Sequence, residues 1–459
     1  MPGAFHGLNM ASNALRAFQR ALDVTGHNIS NVNTVGYTRQ SIEFRDNDPT
    51  KFWSGGVHSL GNGVSISSVN RIRDAFLEQR KIQATGDTGK YLQMADGLRN
   101  VQALFLEPGG SGIADAMDKF FNAWSSLASN PNEPTARMQV QQAGVTLANR
   151  VKTTYLALQD QSTFTNEAIT DTLNQVQNLS RQVADLNGQI RQKQAEGMEP
   201  NDLKDMRDQA VRDLGQLVDI HTFEQPDGTM SVFMNQLTLV DSAGAVPTPM
   251  TFNTALGTIS DASGTFDVRS GKLRALFESA EQIKTYQGNL DSLANELRTQ
   301  VNSVHTAGIN PLGNTGVRFF NDSLPQSGAI DFNLDPVVAA DPRAIVSSVT
   351  GVAGDGGLAL SLSRLRDQSQ ASLGNTTFGR YFDNMVSDIG RKTEYFEAQV
   401  STQQAMNEQI DNQIQSVSGV SLDDEMANML RFQRSYQAAA KALTIFDQVA
   451  EDLINMVRR

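Results

Sequence analysis

The sequence contains no cysteine, and none of its apolar stretches approaches the ~18–20 residues that a membrane-spanning helix needs. The absence of cysteine excludes disulfide scaffolds, thiolate metal sites, iron–sulfur clusters and cysteine nucleophiles. The first residues lack a basic region followed by a continuous apolar one, so we expect no conventional signal peptide. We therefore expect neither a membrane partner nor a cleaved leader.

Basic residues are too few for a general phosphate-binding surface, because 38 lysines and arginines stand against 50 aspartates and glutamates, with a formal net charge of −12. We therefore expect no nucleic-acid partner. Apolar residues (39%) and charged residues (19%) both fall below their usual shares of roughly 45–50% and roughly 25%. The uncharged polar residues that make up the difference favour long polar helices with narrow apolar seams.

Motifs for catalysis and for cofactor binding are also missing. None of the five histidines lies four residues from another, which excludes the helical zinc motif H-E-x-x-H. The segment Gly61-Asn62-Gly63 begins like a phosphate-binding loop, but Ile66 stands at the third glycine position. We interpret this segment as a turn. The sequence predicts no catalytic residue, no metal site, no cofactor and no enzyme activity.

Apolar residues recur with spacings of three and four residues at both ends of the chain, which is the period of one helix face. The N-terminal seam consists of Leu8, Leu15, Phe18 and Leu22. The C-terminal seam consists of Met429, Phe432, Tyr436, Leu443, Phe446 and Leu453. We predict that these seams form an assembly interface, either within one chain or between neighbouring subunits, and the sequence leaves both arrangements open.

Helical periodicity also predicts long helices over about 153–195, 203–217, 271–305 and 382–417. We place strands in only two segments. Alternating residues around a Pro-Asp-Gly turn predict a hairpin within 221–241, and a β-rich unit then extends to about residue 270. Proline, glycine and aspartate also concentrate at 311–345, so that segment is the second place where strands are expected.

The predicted fold class is mainly α with a smaller β-rich domain. We expect an inner coiled-coil domain of terminal helices from residues 1–40 with 420–459. A long helical-bundle rod would comprise 41–220 with 271–310 and 346–419. The β-rich outer domain would comprise 221–270, possibly with 311–345, and would project from the rod.

Two terminal segments carry a family resemblance. Residues 21–40 (ALDVTGHNISNVNTVGYTRQ) closely resemble the N-terminal signature of bacterial flagellar axial proteins, and their Gly-Tyr-Thr-Arg-Gln ending is similar to the hook-associated branch. Residues 418–440 (SGVSLDDEMANMLRFQRSYQAAA) resemble the other end of the same family. One departure is Val35, where many relatives have proline.

Two internal segments narrow the resemblance to the hook–filament junction branch of that family. Asn201-Asp202-Leu203, with Asp205, Arg207 and Asp208, resembles its Asn-Asp-Leu-x-Asp-x-Arg-Asp element, and the segment 290–308 is similar to its next helix. Two alternatives stay open: another axial protein of hook or rod type, and a secreted enzyme on an axial scaffold whose site would lie within 221–345.

The resemblance implies a structural protein of the bacterial flagellum, outside the cell, that is exported unfolded by the flagellar type III pathway. It implies assembly between hook and filament, with copies of the same chain in a ring or helix, with the hook protein and with the second junction protein. It also implies a cytoplasmic export chaperone that covers the C-terminal helix, where we expect Leu443 and Phe446 to bind it.

Overall fold

The structure is a computed structural model that describes residues 3–53, 57–105, 112–235, 237–241, 250–253, 258–261, 264–322 and 328–457. Helices dominate it, as predicted, and a smaller part is formed by short strands. The α-helices are α1 (Gly3–Ser30), α2 (Ala75–Phe105), α3 (Ile113–Ser129), α4 (Pro134–Ala195), α5 (Asn201–Leu217), α6 (Gly271–His305), α7 (Pro336–Ala340), α8 (Gly357–Arg364), α9 (Phe378–Ser418) and α10 (Leu422–Val457).

The strands are β1 (Gln40–Asp46), β2 (Thr50–Trp53), β3 (Val57–Leu60), β4 (Val64–Arg71), β5 (His221–Glu224), β6 (Met230–Met234), β7 (Leu237–Val240), β8 (Thr251–Asn253), β9 (Thr258–Asp261) and β10 (Gly264–Phe266). All the pairings between them are antiparallel, in the orders β1-β4, β2-β3, β5-β6-β7 and β8-β9-β10. No helix in the described part of the chain contains a stretch long and apolar enough to cross a membrane.

The ends of the long helices follow from local chemistry. Helix α4 starts with Pro134, whose missing N–H costs nothing in the first turn. The hydroxyl of Thr377 accepts a hydrogen bond from the Arg380 N–H and caps α9. Helix α10 begins after Ser421, and its first turn carries three acidic residues that favour the positive end of the helix dipole.

A large apolar core joins α2, α3, α4, α6, α8 and α9. Its centre is an aromatic cluster in which the ring of Phe319 lies 5.3 Å from Trp124 and 5.5 Å from Phe120. Phe319 belongs to the segment 311–345, which was considered as a second β-rich piece. In the described part of that segment only isolated bridges occur, such as Phe320 with Leu334, and its buried residues pack among the helices.

Two polar residues of α6 hold this segment in place. The Asn302 side chain accepts hydrogen bonds from the N–H groups of Phe319 and Phe320, each at 2.9 Å, and donates one to the Phe320 carbonyl. The His305 ring donates from Nδ1 to the Val317 carbonyl (2.7 Å) and accepts at Nε2 from the Val346 N–H (3.0 Å). These bonds require a neutral imidazole, and burial lowers the pKa of His305 to about 4.

A second core lies between α4, α5, the start of α6 and strands β5–β10. Buried Asn187 of α4 anchors the first of these sheets, because its side chain donates to the Met230 carbonyl and accepts from the Met230 N–H. The predicted hairpin within 221–241 is therefore present, with the Pro-Asp-Gly turn between β5 and β6.

The prediction that strands are confined to the later segments is wrong. Strands β1 and β4 form a long hairpin directly after α1, with Gln40 opposite Arg71 and a bulge between Glu43 and Phe44. This hairpin lies along α1. At Gly63, where φ is +76°, a Cβ atom would come within 2.7 Å of the Met10 side chain, so glycine serves both the turn and the close approach.

The buried His305 makes stability depend on pH. Its pKa is about 4 in the folded chain against 6.5 for the free side chain. Its contribution to the unfolding free energy is therefore complete above pH 6.5 and is lost as the pH falls from 6.5 through 4. Between pH 7 and pH 5, we expect this group to remove about 2 kcal/mol of unfolding free energy.

Urea unfolding of the wild type and of His305→Gln at both pH values measures this effect. The variant starts from lower stability, because it loses the ring's packing and hydrogen bonds, but its loss between pH 7 and pH 5 should be smaller than that of the wild type by about 2 kcal/mol. Equal losses in the two proteins would contradict a neutral His305.

Candidate assembly interface

Helices α1 and α10 pack against each other within the chain and run antiparallel. Near the start of α1, a Cβ atom on Gly7 would lie 2.6 Å from the Phe446 ring, so that ring rests directly on the helix backbone. Further along, Phe44 of the hairpin stands between Phe18 and Phe432, with ring centroids 6.0 Å from each. The last turns of α1 meet the first turn of α10.

Phe18, Phe432 and Phe446 of the two predicted seams take part in these contacts, but the seams do not form a fully buried line. All ten seam residues keep partial exposure: Leu8, Leu15, Phe18, Leu22, Met429, Phe432, Tyr436, Leu443, Phe446 and Leu453. The apolar residues of these two helices that are buried are mostly alanines, namely Ala11, Ala17, Ala21, Ala439 and Ala450. Small side chains bring the two backbones close and leave the larger ones at the edges of the contact.

Helix α10 also carries exposed apolar residues beside its contact with α1, which the sequence reasoning missed. We call them together the outer face of α10, and its members are Met426, Leu430, Ile445, Val449 and Met456. Their exposed fractions range from 44% to 68%. The signal was present in the sequence as the four-residue spacing of Met426 and Leu430 and of Ile445 and Val449. Helix α1 differs, because α10 and the hairpin both cover it.

A polar cluster, which we call the signature junction, connects the start of α10 to the rest of the chain. Glu425 is only 2% exposed, and its carboxylate accepts two hydrogen bonds from Arg39, at 2.7 and 2.8 Å. It also accepts a hydrogen bond from the Asn28 side chain at 3.2 Å. A buried carboxylate needs such partners, because removing it from water without them is costly.

Asn28 of α1 organises the turn that follows that helix. Its side chain donates to the Gln40 carbonyl (2.9 Å) and accepts from the Gln40 N–H (3.0 Å). The same oxygen accepts the hydroxyl of Tyr37 at 2.7 Å. Burial, with the charges of Asp202, Asp205 and Glu425, raises the pKa of Tyr37, so its hydroxyl stays protonated and able to donate.

Helix α5 supplies the third side of the junction. Its first residue, Asn201, donates to the Val69 carbonyl of the hairpin at 2.8 Å, and Asp205 accepts the Thr38 N–H at 3.1 Å. Arg71 of the hairpin donates to both Asp205 (2.8 Å) and Asp208 (2.9 Å).

Burial and the neighbouring charges act against each other here, and at Asp205 burial prevails and raises the pKa in spite of Arg71. Burial by itself would raise the pKa of the Asp208 carboxyl, but Arg207, Arg73 and Arg71 outweigh it and hold the pKa below the usual value. Burial likewise disfavours the charged Arg71, yet Asp208 and Asp205 raise its pKa.

The structure therefore brings together three of the four segments that carry the family resemblance. Residues 28–40 come from the N-terminal signature, residues 201–208 from the internal element, and Glu425 from the C-terminal signature. The sequence identified each segment but not their contacts, and it did not single out Arg71 or Phe44. Among the described residues, no group of three or more histidines, aspartates or glutamates is arranged to hold a metal ion.

Family models match three parts of the chain. Residues 98–320 match the flagellar hook-associated protein FlgK helical domain. Residues 8–38 match the flagella basal body rod protein, and residues 411–456 match the C-terminal part of the flagellar basal body rod FlgEFG protein. The two terminal models cover most of α1 and α10, and the first covers much of the helical core.

Relatives extend over nearly the whole chain. Flagellar hook-associated protein 1 of Bacillus subtilis (strain 168) is 27% identical, with 99% of both chains covered. The protein of the same description from Escherichia coli (strain K12) is 28% identical, with 98% of this chain and 99% of that protein covered.

A solved structure shows the same fold. The structure of the flagellar hook junction protein FlgK from Burkholderia pseudomallei superimposes with a TM-score of 0.65 at 17% identity, covering 74% of this chain and 100% of that one. In the family models and in the near-full-length relatives, the chain is similar to flagellar hook-associated protein 1, and this similarity supports a structural role in the flagellum; the solved structure adds the likeness of the fold.

Proposed function

We propose that this chain joins the hook of the flagellum to the filament, outside the cell, and assembles through its terminal helices. The observation that carries the proposal is the outer face of α10. Burying the exposed apolar side chains of this 36-residue helix against a partner would gain about 25 cal/mol for each Å² of apolar surface removed from water. Exposed apolar patches of this kind are typical of protein–protein contacts.

The partners of this face are other axial subunits. Copies of the chain would pack side by side in a ring or helix, with the outer face of one α10 against a neighbour. The hook protein would adjoin the assembly on one side and the second junction protein on the other. The match of both terminal helices to models of flagellar basal-body rod proteins supports this proposal.

Export imposes a different state on α10. The proposed route is the flagellar type III pathway, through which the chain passes unfolded, and the proposed chaperone covers Leu443 and Phe446. In the folded chain Phe446 lies on α1 at Gly7. The chaperone and α1 therefore compete for the same side of α10, so chaperone binding keeps α10 unpaired until export.

Charged substitutions on the outer face should prevent assembly without unfolding the subunit. We expect Ile445→Asp with Val449→Asp to abolish swimming when expressed in the source bacterium with its own gene deleted. Both side chains are exposed, so the unfolding free energy of the purified variant should change by only about 0.5 kcal/mol.

The matched control is Phe164→Asp, which alters an equally exposed apolar residue of α4 and should leave swimming intact. Normal swimming of the Ile445→Asp, Val449→Asp variant would show that the outer face has no role in assembly.

Chaperone binding and α1–α10 packing can be separated by mutation. We expect Leu443→Asp with Phe446→Asp to weaken binding of the purified chaperone about 100-fold or more, because two apolar anchors worth roughly 1.5–3 kcal/mol each are lost. Gly7→Leu should disturb only the packing of α1 on α10, because its side chain would meet the Phe446 ring, and should strengthen chaperone binding, because α1 then competes less well for that side of α10. Calorimetric titration measures the chaperone affinity of both variants. Unaltered affinity of the double variant would disprove the chaperone assignment.

A further inference from the structure

A cavity of about 430 Å³ lies beside the signature junction, between the turn at 31–37 and helix α5. The turn contributes Val35, Gly36 and Tyr37 to its wall. Gly36, with φ of +82°, brings the turn against the Gln209 side chain of α5. The cavity is thus part of a built contact between the N-terminal signature and the internal element.

The lining of this cavity is acidic. Asp202, Asp205 and Asp213 contribute carboxylates, and the described lining residues include no lysine or arginine. The guanidinium of Arg212 lies beside Gly36 and is already paired with Glu78 at 2.8 Å. Asp205 is already paired with Arg71. Asp202 accepts a hydrogen bond from Gln40 and lies 3.8 Å from His27, but its side chain is 66% exposed.

Apolar side chains stand at the same cavity. Val35 is 88% exposed and Met206 is 55% exposed, although both are hydrophobic. Carboxylates next to aliphatic surface suit a lysine or arginine, whose stem packs on apolar atoms while its head meets the charges. Val35 is also the position at which the sequence departs from the family signature.

Helix α10 carries positive charges that are complementary to the carboxylates of this cavity. Arg434 and Lys441 are both exposed and lie seven residues apart, between Leu430 and Ile445 on the same side of the helix. Two helical turns separate them by about 10.5 Å. Neither residue lines the cavity of its own chain, so a match requires a second copy.

We infer that the cavity beside the signature turn receives the Arg434 and Lys441 segment of α10 from a second copy of the chain. This inference rests on the proposed function and adds the surface that the outer face of α10 contacts. Because the cavity and the α10 face are different surfaces, the contact is head to tail and continues from copy to copy, as a ring or a helix requires.

Disulfide trapping tests this contact, because the chain has no cysteine of its own. The test variant carries Val35→Cys and Gln437→Cys, which place one thiol at the cavity and one between the two cations. A disulfide needs Cα atoms within about 7 Å, so it reports direct proximity. Oxidation of isolated flagella should give a ladder of dimers and larger multimers on a non-reducing gel. The control, Val35→Cys with Gln159→Cys on an exposed part of α4, should give none.

Charge exchange tests the electrostatic match. In the Val35→Cys, Gln437→Cys background, we expect Asp202→Lys with Asp213→Lys to reduce the ladder about tenfold, because like charges would then oppose each other. Arg434→Glu with Lys441→Glu should do the same, and combining both sets should restore the ladder. Restoration also shows that the single sets did not simply unfold the chain.

The outcomes separate this inference from the proposed function. If the test variant supports swimming but oxidation gives no ladder, or gives the same ladder as the control, the docking site is wrong while the function stands. A ladder of the same intensity in the charge-reversed variants would contradict the assigned charge complementarity. If the wild-type chain itself does not restore swimming in the deletion strain, the proposed function is wrong.

Discussion

A carboxylate that is almost wholly buried at the start of α10 constrains the arrangement of the terminal helices. Glu425 needs Arg39 and Asn28 as partners, and Asn28 in turn fixes the turn that carries Tyr37 and Gln40. Apolar seams of alanine and leucine can shift along one another with little loss of stability. A buried ion pair with a fixed set of hydrogen-bond partners cannot, so the signature junction sets the register of α1 against α10.

The register has consequences at both ends of the pair. It places Gly7 under Phe446 at the far end and turns the alanines of both helices inward. It also leaves Met426, Leu430, Ile445 and Val449 exposed. The same contacts anchor the pair to α5 through Asp205 and Asn201, so force applied to the terminal helices is transmitted to the helical core through charged and hydrogen-bonded groups.

Local patterns predicted much of this structure. The seams, the helices at 271–305 and 203–217 and the hairpin at 221–241 follow from periodicity that is visible within a few turns of chain. The hairpin of β1 and β4 was missed because its strands are rich in serine and charge, and because it packs along α1, which the sequence pattern does not show. The outer face of α10 was missed because its residues flank the regular seam and do not continue its spacing.

The signature junction could not be predicted from one sequence, since its contacts join residues far apart in the chain. Arg39 and Glu425 are separated by 386 positions, and Thr38 and Asp205 by 167. The resemblance located each signature separately. Only the fold shows that Asn28, the Tyr37 turn, the start of α5 and Glu425 are parts of one site.

Hydrogen exchange of the purified monomer, wild type against Glu425→Gln, tests this account most directly. The substitution keeps the shape of the side chain and removes the charge that pairs with Arg39, and breaking a buried ion pair from one side costs about 3–5 kcal/mol. We expect amide exchange within 20–30 and 422–432 to accelerate about 100-fold or more, while Glu451→Gln at an exposed site of α10 changes nothing. Equal exchange in the wild type and Glu425→Gln would show that the terminal helices are held without the signature junction.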